Sequence, residues 1–154
     1  MKKTIDTKTT LIIYGILSQA KYTKMEDSDK IKIWKIHRAL KPVATKFEDD
    51  SKDASEKLKP YDDYDSKLQK AQEYERLKAN KQPTIDIMTD AEYNSFIDDF
   101  KKYNKTVNDA VSEFAEKEIE FEFEPISEEA FGKLMASNEW NMDQVTKISE
   151  FVLE

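Results

Sequence analysis

The sequence predicts a mainly α protein of the α+β class: an antiparallel helical hairpin or bundle joined to a small sheet of two or three strands. Three observations carry this. Apolar residues recur at alternating spacings of three and four along most of the chain, the period of a buried helix face. Only two glycines and four prolines punctuate 154 residues of which 37% are charged, so long solvated helices fit better than many turns. One segment breaks the helical period: Glu118-Ile119-Glu120-Phe121-Glu122-Phe123-Glu124 alternates strictly, as a one-sided strand does.

The length fits a single domain, residues 1–154. The first element is a short strand over residues 2–6, "KKTID". Thr7 or Thr9 then caps a helix whose apolar face holds Leu11, Tyr14 and Leu17, with Ile12, Ile13 and Ile16 beside them. Gly15 lies inside it and is expected to allow a close helix crossing. Next, Asp27 or Ser28 starts a helix with a seam of Ile33, Ile36, Leu40, Val43 and Phe47. Pro42 interrupts that seam and predicts a kink or break near residues 38–42. A turn at Lys59-Pro60 and a second seam of Tyr61, Tyr64, Leu68, Ala71, Tyr74 or Glu75, and Leu77 make residues 47–80 a projecting, charged helical hairpin.

"TIDIM", residues 84–88, is the candidate third strand. Thr89 and Glu92 form a capping box before a helix that carries Phe96, Ile97, Phe100, Tyr103, Val107, Val111 and Phe114 to about Glu116. The acidic strand follows. Ser127 opens a short helix with Ala130, Phe131 and Leu134, and Asn141 or Asp143 caps a last one with Val145, Ile148, Phe151 and Val152.

The alternating strand needs a ladder partner, because backbone donors and acceptors must be paired. The helix between 84–88 and 118–124 runs ~39 Å, whereas seven strand residues return only ~23 Å, so those two strands barely overlap. Residues 2–6 have no such constraint, and Lys2 and Lys3 can face the glutamates across the ladder. The expected sheet therefore joins 2–6 with 118–124, with 84–88 as a third-strand candidate. Ile119, Phe121 and Phe123 face inward, and the glutamates face water and discourage edge-to-edge aggregation.

Composition excludes several activities. Without cysteine there is no disulfide scaffold, thiolate metal site or thiol nucleophile. With Gly15 and Gly132 as the only glycines, no phosphate-binding or dinucleotide fingerprint exists. A net charge of −7 and just two arginines, Arg38 and Arg76, argue against nucleic acid as partner. No apolar run approaches a membrane span, and the N-terminal run from Leu11 to Leu17 lacks a clean cleavage site, so it reads as mature chain. His37, the lone histidine, sits near Trp34 and Lys41 at helical spacing with no carboxylate one turn away, and reads as a helix-surface residue. Asp62, Asp63 and Asp65, with Glu48, Asp49 and Asp50, lack the glycine and the spacing of a calcium loop, and no cofactor or metal is expected. What remains is protein contact. Glu120, Glu122 and Glu124 on the strand, Trp140 in "SNEWNMD", and Asp62, Asp63 and Asp65 at the hairpin tip are the candidate partner-binding residues.

The order of elements, with "LIIYGILSQA", the lysine-rich "KIKIWKIHRALKPVATKFEDD", the capped "TDAEYNSFIDDFKKYNKTV" and the strand-turn-helix "EIEFEFEPISEEAF", resembles an uncharacterised family of short phage and prophage proteins encoded among virion and tail assembly genes. The resemblance covers most of the chain and brings no catalytic residue with it. It implies a non-enzymatic structural or assembly protein, in the cytoplasm of a bacterial host or in the virion, whose partners are other virion proteins or copies of itself. The alternative is a small acidic regulatory binder, an inhibitor of a defence or host protein, that uses the acidic hairpin.

Overall fold

A computed structural model describes residues 1–154. The elements run β1 (Lys2–Asp6), α1 (Thr7–Gln19), α2 (Asp27–Lys57), α3 (Tyr64–Ala79), α4 (Asp90–Glu116), β2 (Glu118–Glu122), α5 (Glu128–Ala136) and α6 (Met142–Val152). The protein is mainly helical with one small antiparallel sheet, as the spacing and the single alternating segment predict. Its contacts fall into two compact units, Met1–Asp50 with Glu113–Glu154, and Ser51–Ser112.

The first unit contains the sheet. β1 pairs with β2 in the register Lys2 to Glu122, Thr4 to Glu120 and Asp6 to Glu118 on the outer face, and Lys3 to Phe121 and Ile5 to Ile119 on the inner face. The ladder continues past both strand ends, with Phe123 N donating to Met1 O at 3.0 Å and Thr7 N donating to Lys117 O at 2.9 Å. This closes on the expected partner, though the strand itself is shorter than 118–124. Lys2 crosses the ladder as expected and meets Glu120 at 3.2 Å. Lys3 does not: its ammonium donates to the carbonyls of Glu150 and Leu153, where the C-terminus of α6 leaves acceptors unpaired.

The core of this unit is aliphatic. Ile13, Leu17, Ile33, Ile36, Leu40, Leu134, Ile148 and Val152 are buried, and Phe121 meets Phe151 edge-on at 5.8 Å between ring centres. In α1 the buried line is Thr10, Ile13 and Leu17; of the expected face Leu17 is buried and Tyr14 packs partly buried against the core, while Leu11 is only half-buried. Asp6, rather than Thr7 or Thr9, caps α1, its carboxylate accepting from Thr9 N at 2.5 Å. That backbone donor, with the Thr9 hydroxyl next, holds the Asp6 carboxyl below its ordinary range. Thr7 turns its hydroxyl onto Lys117 O instead, at 2.8 Å. Gly15 is exposed and an added Cβ there would meet nothing within 4 Å, so no close crossing explains it.

Pro42 does not break α2, which is continuous from Asp27 to Lys57. Proline removes one helical donor at a cost of about 3 kcal/mol. Here it stands on the solvent side, where water can reach the carbonyl it leaves free, while Leu40 and Val43 keep the packed side continuous. Ser127 and Asn141 cap α5 and α6, the latter through a full capping box with Gln144.

The second unit is built on aromatics. Tyr64, Ala71, Tyr74, Met88 and Phe96 are buried, with Tyr61, Tyr93, Phe100 and Tyr103 around them. Residues 58–63 join α2 to α3, and the Thr89–Glu92 box opens α4 with both reciprocal bonds, at 3.2 and 3.1 Å. Residues 84–88 form a turn, not a third strand. Thr84 O accepts from Ile87 N at 3.0 Å and Met88 N at 3.2 Å, so local bonds take the groups a ladder would need.

Candidate interaction surface

α2 buries Ile33, Ile36 and Leu40 along one side. At 100° per residue, the opposite side carries Asp27, Ile31, Trp34, Arg38, Lys41 and Thr45, all exposed. Ile31 is 53% and Trp34 is 55% exposed, although both are large and apolar. The Arg38 guanidinium lies 5.3 Å from the Trp34 ring centre, a cation stacked on an indole in open solvent. Residues 30–46 hold Lys30, Lys32, Lys35, Arg38, Lys41 and Lys46 and no acid, in a chain whose net charge is −7. The ion pairs of this stretch belong to its flanks: Lys30 to Asp27 at 3.1 Å, Lys32 to Glu124 at 2.9 Å and Lys46 to Asp50 at 2.7 Å. Trp and Arg are among the residue types most enriched at the hot spots of protein interfaces.

The residues expected to bind partners are arranged differently. Glu120 and Glu122 point to solvent on the outer face of the sheet, and Lys2 takes up Glu120. Glu124 is held by Lys32, whose hydrogen bond lowers the carboxyl's proton affinity and raises that of the ammonium. Trp140 packs partly buried against the first core and lines a shallow depression with Ile16, Gln19 and Ala136. At the hairpin tip Lys59 bridges Asp65 at 2.9 Å and Glu56 at 2.9 Å, which pushes its own ionisation far up. Lys67 stands 4.0 Å from Asp63, and Asp62 is exposed. Two of the three tip aspartates thus face lysines, and Asp62 stays exposed. No group of three or more Asp, Glu or His residues is placed to hold a metal ion.

His37 has neighbours that sequence spacing does not reveal. Its ring stacks on Tyr14, with centres 4.8 Å apart, and Nε2 lies 2.8 Å from Ser18 Oγ. A serine beside a histidine raises nucleophilic catalysis, but the details run the other way. Ser18 Oγ also lies 2.7 Å from Tyr14 O, an acceptor that competes with the imidazole for the hydroxyl proton. Burial and the charge of Lys41 both lower the histidine's affinity for a proton, where a triad has a carboxylate that raises it. A cleft of about 430 Å³ between Pro42, Val43, Phe47, Phe114 and Ile119 is apolar, with Lys46, Asp50 and Lys117 at its rim.

Trp34 and Ile31 are therefore the residues that sequence reasoning passed over. The sequence shows that both sit half a turn away from the Ile33-Ile36-Leu40 seam, but a helix with apolar residues on two sides does not say which of them faces its own core. No helix is long and apolar enough to cross a membrane. The chain matches no family model, no curated protein and no solved structure.

Proposed function

We propose that this is a non-enzymatic protein of a phage or prophage that acts in assembly through protein–protein contacts, with the outward face of α2 as its working surface. The observation that carries the reading is the exposure of Ile31 and Trp34 on the side of α2 opposite its buried seam. Leaving about half of an indole and half of a sec-butyl group in water forgoes on the order of 1 kcal/mol of burial each. A partner surface recovers that energy. The flanking cations give the contact orientation and speed its formation. The acidic-hairpin alternative draws less support, because Lys59 and Lys67 already pair with Asp65 and Asp63, two of the three aspartates it would use.

The test is a comparison of tagged wild type with the Ile31→Ala/Trp34→Ala double variant in the native host. Both side chains lie outside the cores, so circular dichroism and melting are expected to match. The proteins retained by wild type, an untagged copy of the chain included, should fall at least about tenfold with the variant. Equal retention by the two would overturn the reading.

A further inference from the structure

Resting on that reading, the geometry points to a second copy of this chain as the occupant of the face, in a two-fold, antiparallel pairing of α2 with α2. Asp27, Ile31, Trp34, Arg38, Lys41 and Thr45 follow one another at spacings of four, three, four, three and four. This is the repeat that keeps a seam turned toward a neighbouring helix. It is a second such seam, on the side of α2 that its own core does not use.

The order of side chains along the seam makes it self-complementary. One end is acidic, the middle is apolar and the other end is basic. A two-fold axis through Trp34 sets Asp27 against the partner's Lys41 and Lys41 against the partner's Asp27. Ile31 then lies along the stem of the partner's Arg38, and the two indoles meet at the axis, each with a guanidinium over it. Such an interface is isologous and closes as a dimer. A parallel pairing would oppose like charges at both ends and is disfavoured.

The seam from Asp27 to Lys41 spans ~21 Å. Asp27 is free to exchange partners. Its side chain is 95% exposed, and its pairing with Lys30 is a surface ion pair of little net worth. A polyanion such as nucleic acid would attract the cations of this stretch, but it offers no cation to Asp27 and no apolar surface to cover Ile31 and Trp34, both of which a second copy supplies.

The experiment is sedimentation velocity on the full chain across the micromolar range. Wild type should show a reversible monomer–dimer equilibrium. Trp34→Ala should weaken it at least about thirty-fold. Asp27→Lys and Lys41→Asp should each be monomeric alone, since each homodimer would oppose like charges. Mixed together they should dimerise again, because both end pairs are then restored. Wild type that stays monomeric, a dimer indifferent to Trp34→Ala, or a mixture that fails to associate would each overturn the proposal. If wild type is monomeric but still retains another protein in a Trp34-dependent way, self-pairing falls and the broader binding reading stands. If it is monomeric and retains nothing, both fall.

Discussion

The two units solve the same packing problem with different materials. The first buries Ile, Leu and Val side chains that carry no polar atom, together with phenylalanine rings. The second fills its core with tyrosines, whose rings pack and whose hydroxyls must then be paired. Tyr74, almost fully buried, donates to Asp90 and accepts from Lys78 at 3.1 Å. Tyr93 stacks on Tyr74 at 4.2 Å and donates to Glu75. Tyr103, 4.8 Å from the Tyr64 ring, donates to Ser55 O at 2.5 Å. The lesson is that the first unit depends on volume and the second on hydrogen bonds to charged or backbone groups. They should fail under different insults.

The largest expected effect lies in the first unit. Leu134 is 0% exposed, and Leu134→Ala should cost about 3 kcal/mol through lost transfer energy and the cavity left behind. Chemical denaturation measures the loss, and amide exchange should place it in the first unit. A loss confined to the second unit would break the comparison.

Next comes Tyr74→Phe, which keeps the ring and removes the hydroxyl between Asp90 and Lys78. A loss of about 1–2 kcal/mol is expected, read as faster exchange in residues 51–112. If the ring alone mattered, the change would be neutral.

The pH dependence sharpens the same point. The hydrogen bond to Glu75, followed by burial, pushes the Tyr93 hydroxyl up to about 12. Between about 10, where an unfolded tyrosine ionises, and about 12, the unfolded state sheds a proton that the folded state keeps, so stability falls as pH rises. Burial raises Tyr61 and Tyr64 too, in the same unit, whereas in the first unit only Tyr22 is so shifted. Amide exchange through this alkaline window should show the second unit opening first, and Tyr93→Phe should flatten that dependence.

The smallest effect is a gain. Gly15→Ala in α1 adds a methyl group that meets nothing and removes backbone freedom from the unfolded chain. A stabilisation of ~0.5–1 kcal/mol is expected, seen as a higher melting temperature. A loss would mean that α1 needs the glycine for packing after all.

Much of this was legible in the residues. Periodicity named the helices, and the Thr89–Glu92, Ser127 and Asn141 caps marked their starts, because capping is a local contest between a side chain and three nearby amides. The strict alternation of Glu118–Glu124, with a length argument, was enough to choose residues 2–6 as the partner strand. Tertiary packing decided the rest. Residues 84–88 have the composition of a strand, but no ladder partner, and collapse into a turn. Pro42 reads as a breaker, but the packing of Leu40 and Val43 on either side carries the helix through. The exposure of Ile31 and Trp34 was also a tertiary fact. A helix with apolar residues on two sides does not say which side its own core will take, and packing around Ile33, Ile36 and Leu40 left the other facing solvent.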